Sequence, residues 1–145
     1  MKISMEEISP QLEEEILIKC HQVDEEIMNL VKTIKVAQHR ITGIIDDKYY
    51  SVPLEAVYYY ETVDSKAFFY TKDKVFETKL KLYQFEQEFG GDKFFRASKS
   101  AIVNVTKIAF VKPYLSGRFE ATLANKEKVI ISRQYVGDMK KLLGM

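Results

Sequence analysis

Between His39 and Ser132 the chain meets a turn signal so often that it leaves room for only one short helix. RITGII, KYYSVP, AVYYYET, KAFFYTK and KVFETKL follow one another at strand length, rich in β-branched and aromatic residues. Asp46-Asp47, Val63-Asp64-Ser65 and Asp73 punctuate them with residues suited to tight turns. The first pair reads as a hairpin, with Pro53 ending its second arm or marking an edge, and the rest reads as an antiparallel meander. KLYQFEQEFG then changes to helical spacing through Leu82, Phe85 and Phe89, with Gly90-Gly91 as its stop. After it come a strand at Phe94-Phe95, one from about Ile108 to Tyr114, then RFEATLA and KVIIS, divided by Ser116-Gly117 and Asn125-Lys126. The pattern predicts a mainly β (α+β) fold.

The two ends differ from this middle. MKISMEEIS, ended by Pro10, and EEEILIKCH each read as a strand. VDEEIMNLVKTIKVA places Ile27, Leu30, Val31 and Ile34 on one helical face, with Asp24 as N-cap and two glutamates where the helix dipole favours them. Residues 1–36 are therefore expected to form a strand-strand-helix extension, and residues 37–145 the β-rich domain, with no Gly/Pro-rich linker between them. At the other end, SRQYVGDMKKLLGM predicts a short closing helix capped by Ser132, with Tyr135, Met139, Leu142 and Leu143 on its inner face. Cys20 has no second cysteine to pair with and reads as a buried, inert thiol at a strand end. Tyr58, Tyr59 and Tyr60 cannot share a face of a strand, so Tyr59 is expected to oppose the other two, all three serving packing.

Several kinds of chemistry lack support. His21 and His39 have no metal-ligand spacing around them, and no phosphate-cradling glycine loop or GxSxG elbow occurs. Asp46-Asp47 and Glu13-Glu14-Glu15 read as solvated charges. No enzyme activity, cofactor or small-molecule substrate is expected. The acidic N-terminus is unlike a secretory signal, and no run of eighteen apolar residues occurs, so a cytoplasmic protein is expected.

Charge is distributed unevenly. Residues 93–145 carry eleven Lys/Arg against three Asp/Glu, whereas residues 1–92 carry eleven against eighteen. That split fits either a polyanion-binding face or two packed halves that attract each other. Within the basic part, FFRASKSAIVN sets Arg96, Ser98, Lys99 and Ser100 on a connection between β segments. Arg and Lys there can reach phosphates or guanine, and Ser hydroxyls can bind phosphate; a solvated basic loop is the plainer alternative. Asn104 reads as closing a turn with its own side chain, and Arg118 as holding a phosphate or pairing with Glu120.

These stretches resemble the LytTR DNA-binding domain of bacterial transcription regulators. The resemblance runs in order through PLEAVYYYETVDSKAFFYT, KLYQFEQEF, FFRASKSAIVNVTKI and GRFEATLANKEKVIISRQYVGDMKKLL, over about residues 37–143. It matches the family's signature at Phe95-Arg96, Ser100, Ile102-Val103 and Asn104, and at Ser132-Arg133 before the last helix. It implies small antiparallel β-sheets with short helices, inserting loops into successive major grooves of double-stranded DNA. The base-reading positions it implies are the turn Asp64-Ser65-Lys66, the loop Ser98-Lys99-Ser100, and Arg133, with Gln134 beside it. Relatives often carry His or Asn at the first two of these, where this chain has Ser65 or Lys66 and then Lys99. A lysine can donate to guanine O6 or N7 but cannot make asparagine's paired contact with adenine.

Many relatives carry an α/β phosphoacceptor domain in front, for which about 36 residues are too few. The resemblance thus points to the short stand-alone branch, a transcription regulator whose N-terminal unit pairs it as a homodimer. Such regulators are in some cases encoded beside a small membrane protein, which makes a membrane partner an expectation as well. The rival readings are a protein-interaction module docking an acidic partner and a small-molecule sensor with an aromatic pocket. Against the sensor, no Gly-lined or clustered polar pocket is evident.

Overall fold

The computed structural model describes residues 1–145 except Gln38 and Asp92, with the backbone alone described at Val36 and Ala37. The chain divides into two units, Met1–Ala37 and Gln38–Met145. Gln38, next to the boundary expected between residues 36 and 37, lies outside the described residues.

In the first unit, helix α1 spans Glu25–Ala37, and Asp24 caps it: its Oδ1 accepts the Ile27 N–H at 3.0 Å. Ile27 is buried on the expected stripe, but Leu30 is exposed. The two expected strands ahead of α1 are absent. Residues 1–24 form no strand, only a turn in which the Leu12 N–H donates to the Ser9 carbonyl at 2.9 Å. A strand exists by virtue of a neighbour that takes its backbone hydrogen bonds, and among the described residues no strand pairs with either segment. Cys20, expected to be buried, is exposed for the same reason.

The second unit begins with a hairpin, β1 (Arg40–Ile45) and β2 (Lys48–Pro53). Asp46 and Asp47 turn it with φ of 50° and 63°, left-handed values that short polar side chains tolerate. A 3-10 turn at Leu54–Ala56 leads into β3 (Tyr59–Val63), β4 (Lys66–Tyr70) and β5 (Val75–Thr78). Helix α2 follows at Leu82–Phe89, then β6 (Phe94–Arg96) and β7 (Ala101–Asn104). These seven strands make one antiparallel sheet in the order β2-β1-β5-β4-β3-β7-β6. Gly43 leaves room on β1 for the aromatic rings of β4 and β5: a Cβ there would lie 2.6 Å from the Phe69 and Phe76 side chains. The second sheet, also antiparallel, is β8 (Ile108–Pro113), β9 (Phe119–Leu123) and β10 (Lys128–Ile131), with β9 in the middle. Helix α3 (Val136–Leu142) closes the chain.

Successive residues of the central strands point into opposite cores, as the two-residue period of a strand requires. Tyr60, Phe94 and Ile102 join Phe69, Phe76 and Phe85 in a core on the α2 face. Tyr59, Phe95 and Val103 face the other core, with Leu123, Val129, Ile131 and Met139 from the second sheet and α3. The large sheet is thus covered on both faces, which explains its near-continuous apolar runs. Tyr58 departs from the expected alternation. It precedes β3 and packs in the same core as Tyr59, because its N–H bonds the Tyr70 carbonyl at 2.7 Å outside the regular ladder. In α3, Met139 is fully buried and Val136 packs beside it, but Leu142 is exposed, and Ser132 makes no side-chain cap. A 3-10 turn at Arg133–Tyr135 precedes α3, and the inner face of the helix runs through Val136, Met139 and Leu143, which leaves Leu142 at its edge.

Burial pushes the Tyr60 phenol up to about 12, and its hydroxyl donates to the Leu80 carbonyl at 2.7 Å. The Tyr59 and Tyr70 rings stack at 4.1 Å. Burial raises both phenols, aided by Glu127 beside Tyr59 and by Glu61, whose carboxylate accepts the Tyr70 hydroxyl proton. Among the described residues no helix is long and apolar enough to cross a membrane, and no group of three or more His, Cys, Asp or Glu could hold a metal ion.

Candidate nucleic-acid interface

The strand directions decide which connections become neighbours. β3 runs antiparallel to β7, with Glu61 opposite Ala101, so the end of β3 and the start of β7 lie at one end of the large sheet. The β3–β4 turn and the β6–β7 loop therefore leave from the same end. One backbone bond joins them there: the Thr62 N–H donates to the Ser100 carbonyl at 2.8 Å. A second bond joins the loop to the other sheet, where the Ser132 N–H donates to the Ala97 carbonyl at 2.7 Å. Ile131 and Pro113 both pair with Phe119, so the β8–β9 connection leaves from that same end of the second sheet. Gly117 completes the row. Its φ is +75°, a left-handed value that favours glycine, and a Cβ there would come within 3.0 Å of Arg133 Cδ, so any side chain would require the Arg133 stem to shift.

The row thus contains every position expected to meet DNA. Ser65 has φ of 65° at the tip of a two-residue turn with Asp64, and Lys66 opens β4; both side chains are exposed. Ser98, half-buried, accepts the Ser100 N–H on its Oγ at 3.2 Å, while Lys99 and Ser100 are exposed. Arg133 and Gln134 are exposed in the turn after Ser132. Arg118 does not pair with Glu120. Its Nε donates to the Leu115 carbonyl at 3.0 Å, and its guanidinium lies 4.9 Å from the Tyr114 ring centre. Glu120 instead neighbours Lys112 and Lys128, at 3.6 and 3.8 Å.

Arg96 stands apart from the other cations. Its Nε donates to the Ser98 carbonyl and its Nη2 to the Lys99 carbonyl, both at 2.8 Å, and its Nη1 lies 3.3 Å from Glu86 Oε1 on α2. Among the described residues, Lys66, Lys99, Arg118 and Arg133 form no salt bridge. Four cations of this row therefore remain available to an anion, and one is engaged by the protein itself.

The signature Asn104 closes a turn, as expected. Nearly fully buried, its Nδ2 donates to the Val57 carbonyl at 2.9 Å, and its Oδ1 accepts the Thr106 N–H at 3.0 Å and hydroxyl at 2.7 Å. It lies at the far end of β7 from the loop. Two residues of the site escaped the sequence reading, Gly117 and Glu86. Gly117 was legible as a turn residue but not as the seat of Arg133, and nothing near Glu86 in the sequence marks a partner ten residues away.

Two antiparallel sheets that gather four connections and five basic side chains at one end define a loop-presenting β domain. The chain belongs to the LytTR family: the sequence model of the LytTr DNA-binding domain matches residues 47–144. Among solved structures, the LytTr DNA-binding domain of a methyl-accepting/DNA response regulator from Bacillus cereus is similar with a TM-score of 0.69. It is 31% identical, over 73% of this chain and 97% of that one. The sensory transduction protein LytT of Enterococcus faecalis is 28% identical over 100 residues, which are 69% of this chain and 41% of that protein. The transcriptional regulatory protein YpdB of Escherichia coli K12 is 23% identical over 112 residues, 77% of this chain and 46% of that protein. The chain thus spans less than half the length of either of these two relatives.

Proposed function

We propose that the chain is a transcription regulator that reads duplex DNA through this row of connections. Lys66 or Ser65, Lys99 and Arg133 supply the base contacts, and Ser98, Ser100, Arg118 and Gln134 contact phosphates and fix the register. The observation that carries the reading is the pair of backbone bonds, Thr62 to Ser100 and Ser132 to Ala97, which bring three connections distant in sequence into one row. Phosphate contacts would give most of the affinity, with log K falling by about 0.9 per log unit of salt for each phosphate neutralised. The few loop side chains would give the sequence preference. The N-terminal unit, with its exposed apolar side chains, would bring a second copy to a repeated site.

The test is a fluorescence-anisotropy titration of the wild-type chain and Arg133→Ala against a duplex selected from a random pool and its shuffled counterpart, at two salt concentrations. Arg133→Ala is expected to cost about 1–3 kcal/mol on the selected duplex and to relax preference at one position. Equal binding of the wild type to both duplexes would overturn sequence reading and leave only polyanion attraction, as expected of a module that docks an acidic partner.

A further inference from the structure

We infer that Arg96 does not contact DNA but is the positioning residue that aims Lys99. The inference rests on the DNA-reading function proposed above and assigns one of its residues a different task. The Ser98 carbonyl belongs to the peptide plane before Lys99, and the Lys99 carbonyl to the plane after it. Arg96 holds both, each at 2.8 Å, from two nitrogens of one rigid fork. Fixing the planes on both sides of a residue fixes its φ and ψ, and with them the direction of its Cβ. The Lys99 side chain therefore leaves the loop in a direction that Arg96 sets.

The same guanidinium ties this loop to two other elements. Nη1 faces Glu86 on α2, at 3.3 and 3.4 Å from its two oxygens, and the ring of Tyr135, two residues beyond Arg133, lies 5.7 Å from the guanidinium carbon. All three guanidinium nitrogens are thus committed within the protein. A lysine cannot replace this fork, since a single ammonium on a flexible stem has no fixed geometry with which to span two successive carbonyls.

The experiment compares wild type, Arg96→Lys, Arg96→Ala and Glu86→Gln on the selected and shuffled duplexes over a range of salt. Amide exchange at Ser98 and Ser100 is followed by NMR without DNA. A positioning residue predicts at least a tenfold loss of preference in Arg96→Lys, with an unchanged salt slope and faster exchange at the loop amides. Glu86→Gln, which removes a negative charge, should strengthen binding to the shuffled duplex while lowering the preference. If Arg96→Lys keeps both preference and protection, and Arg96→Ala lowers the salt slope by about 0.9, Arg96 is a phosphate contact and the inference falls. A wild type without preference would instead sink the DNA reading, and slow loop exchange in Arg96→Lys would then also remove Arg96 as the holder of the loop.

Discussion

The two ends of the β structure are closed by different chemistry. At the end away from the candidate interface, neutral amides do the work: Asn104 bridges Val57 and Thr106, and Asn125 donates to the Lys72 carbonyl at 3.2 Å while accepting the Glu127 N–H at 3.1 Å. At the interface end the comparable closure is made by Arg96, a charged group that stays partly exposed and is balanced by Glu86. A neutral amide can be buried once its hydrogen bonds are satisfied, and Asn104 is 1% exposed. A guanidinium stays nearer water, and at 23% side-chain exposure Arg96 keeps a solvated edge while its nitrogens hold the loop and Glu86. One end is thus closed by hydrogen-bonded neutral amides, and the other by a partly exposed cation that holds a loop.

Alkaline pH tests the frame that both ends share and carries the largest expected effect. Tyr60 has its folded value pushed up to about 12, against about 10 when unfolded. Its contribution is therefore complete below pH 10 and is lost as pH rises from 10 through 12, since only the unfolded chain releases the proton in that window. Tyr59 and Tyr70 shift in the same direction. Urea midpoints between pH 8 and 12, read beside phenolate absorbance, should fall together with a delayed ionisation. Midpoints that stay level to pH 12 would remove the buried phenols from the account.

Asn104→Ala attacks the amide-closed end. It strips a buried carbonyl of its donor and Thr106 of its acceptor, so a loss of about 2–4 kcal/mol in stability is expected by denaturant unfolding. DNA preference of the protein that remains folded should be unchanged. Gly117→Ala probes the interface end instead. A β-carbon at φ +75° costs about 1–2 kcal/mol and pushes against the Arg133 stem, so stability and DNA affinity should both decline. The smallest effect belongs to Lys126→Ala, in the β9–β10 turn at the opposite end from Arg133. Residue 126 keeps a β-carbon at φ 74° in either case, so stability should move by less than about 0.5 kcal/mol. Affinity equal to that of Arg133→Ala would mean that the binding face has been assigned to the wrong end.

Much of this molecule follows from short-range pattern. The hairpin at Asp46-Asp47, the turn at Asp64-Ser65 and the helix through Leu82, Phe85 and Phe89 are each specified within a few residues, because period and turn chemistry are local. The resemblance carried by Phe95-Arg96, Ser100 and Asn104 was equally legible and led to the right family. The strands expected before residue 24 show where local pattern stops. ILI and its neighbours have strand propensity, but whether a strand forms depends on a partner that the segment cannot name.

By itself, then, the sequence determined the mainly β class, the turns, the closing helix and the basic character of residues 93–145, and it offered candidates for a DNA-reading surface. Tertiary structure decided which of those residues stand together and which are used inside the protein. Thr62 meets Ser100, Ala97 meets Ser132, and Gly117 seats Arg133, all through contacts between segments far apart in the chain. Arg96 and Lys99 look alike in sequence, as two cations in one loop. Only the position of two carbonyls and Glu86 turns one of them inward, because a cation's role is set by the acceptors that folding places within about 3 Å of it.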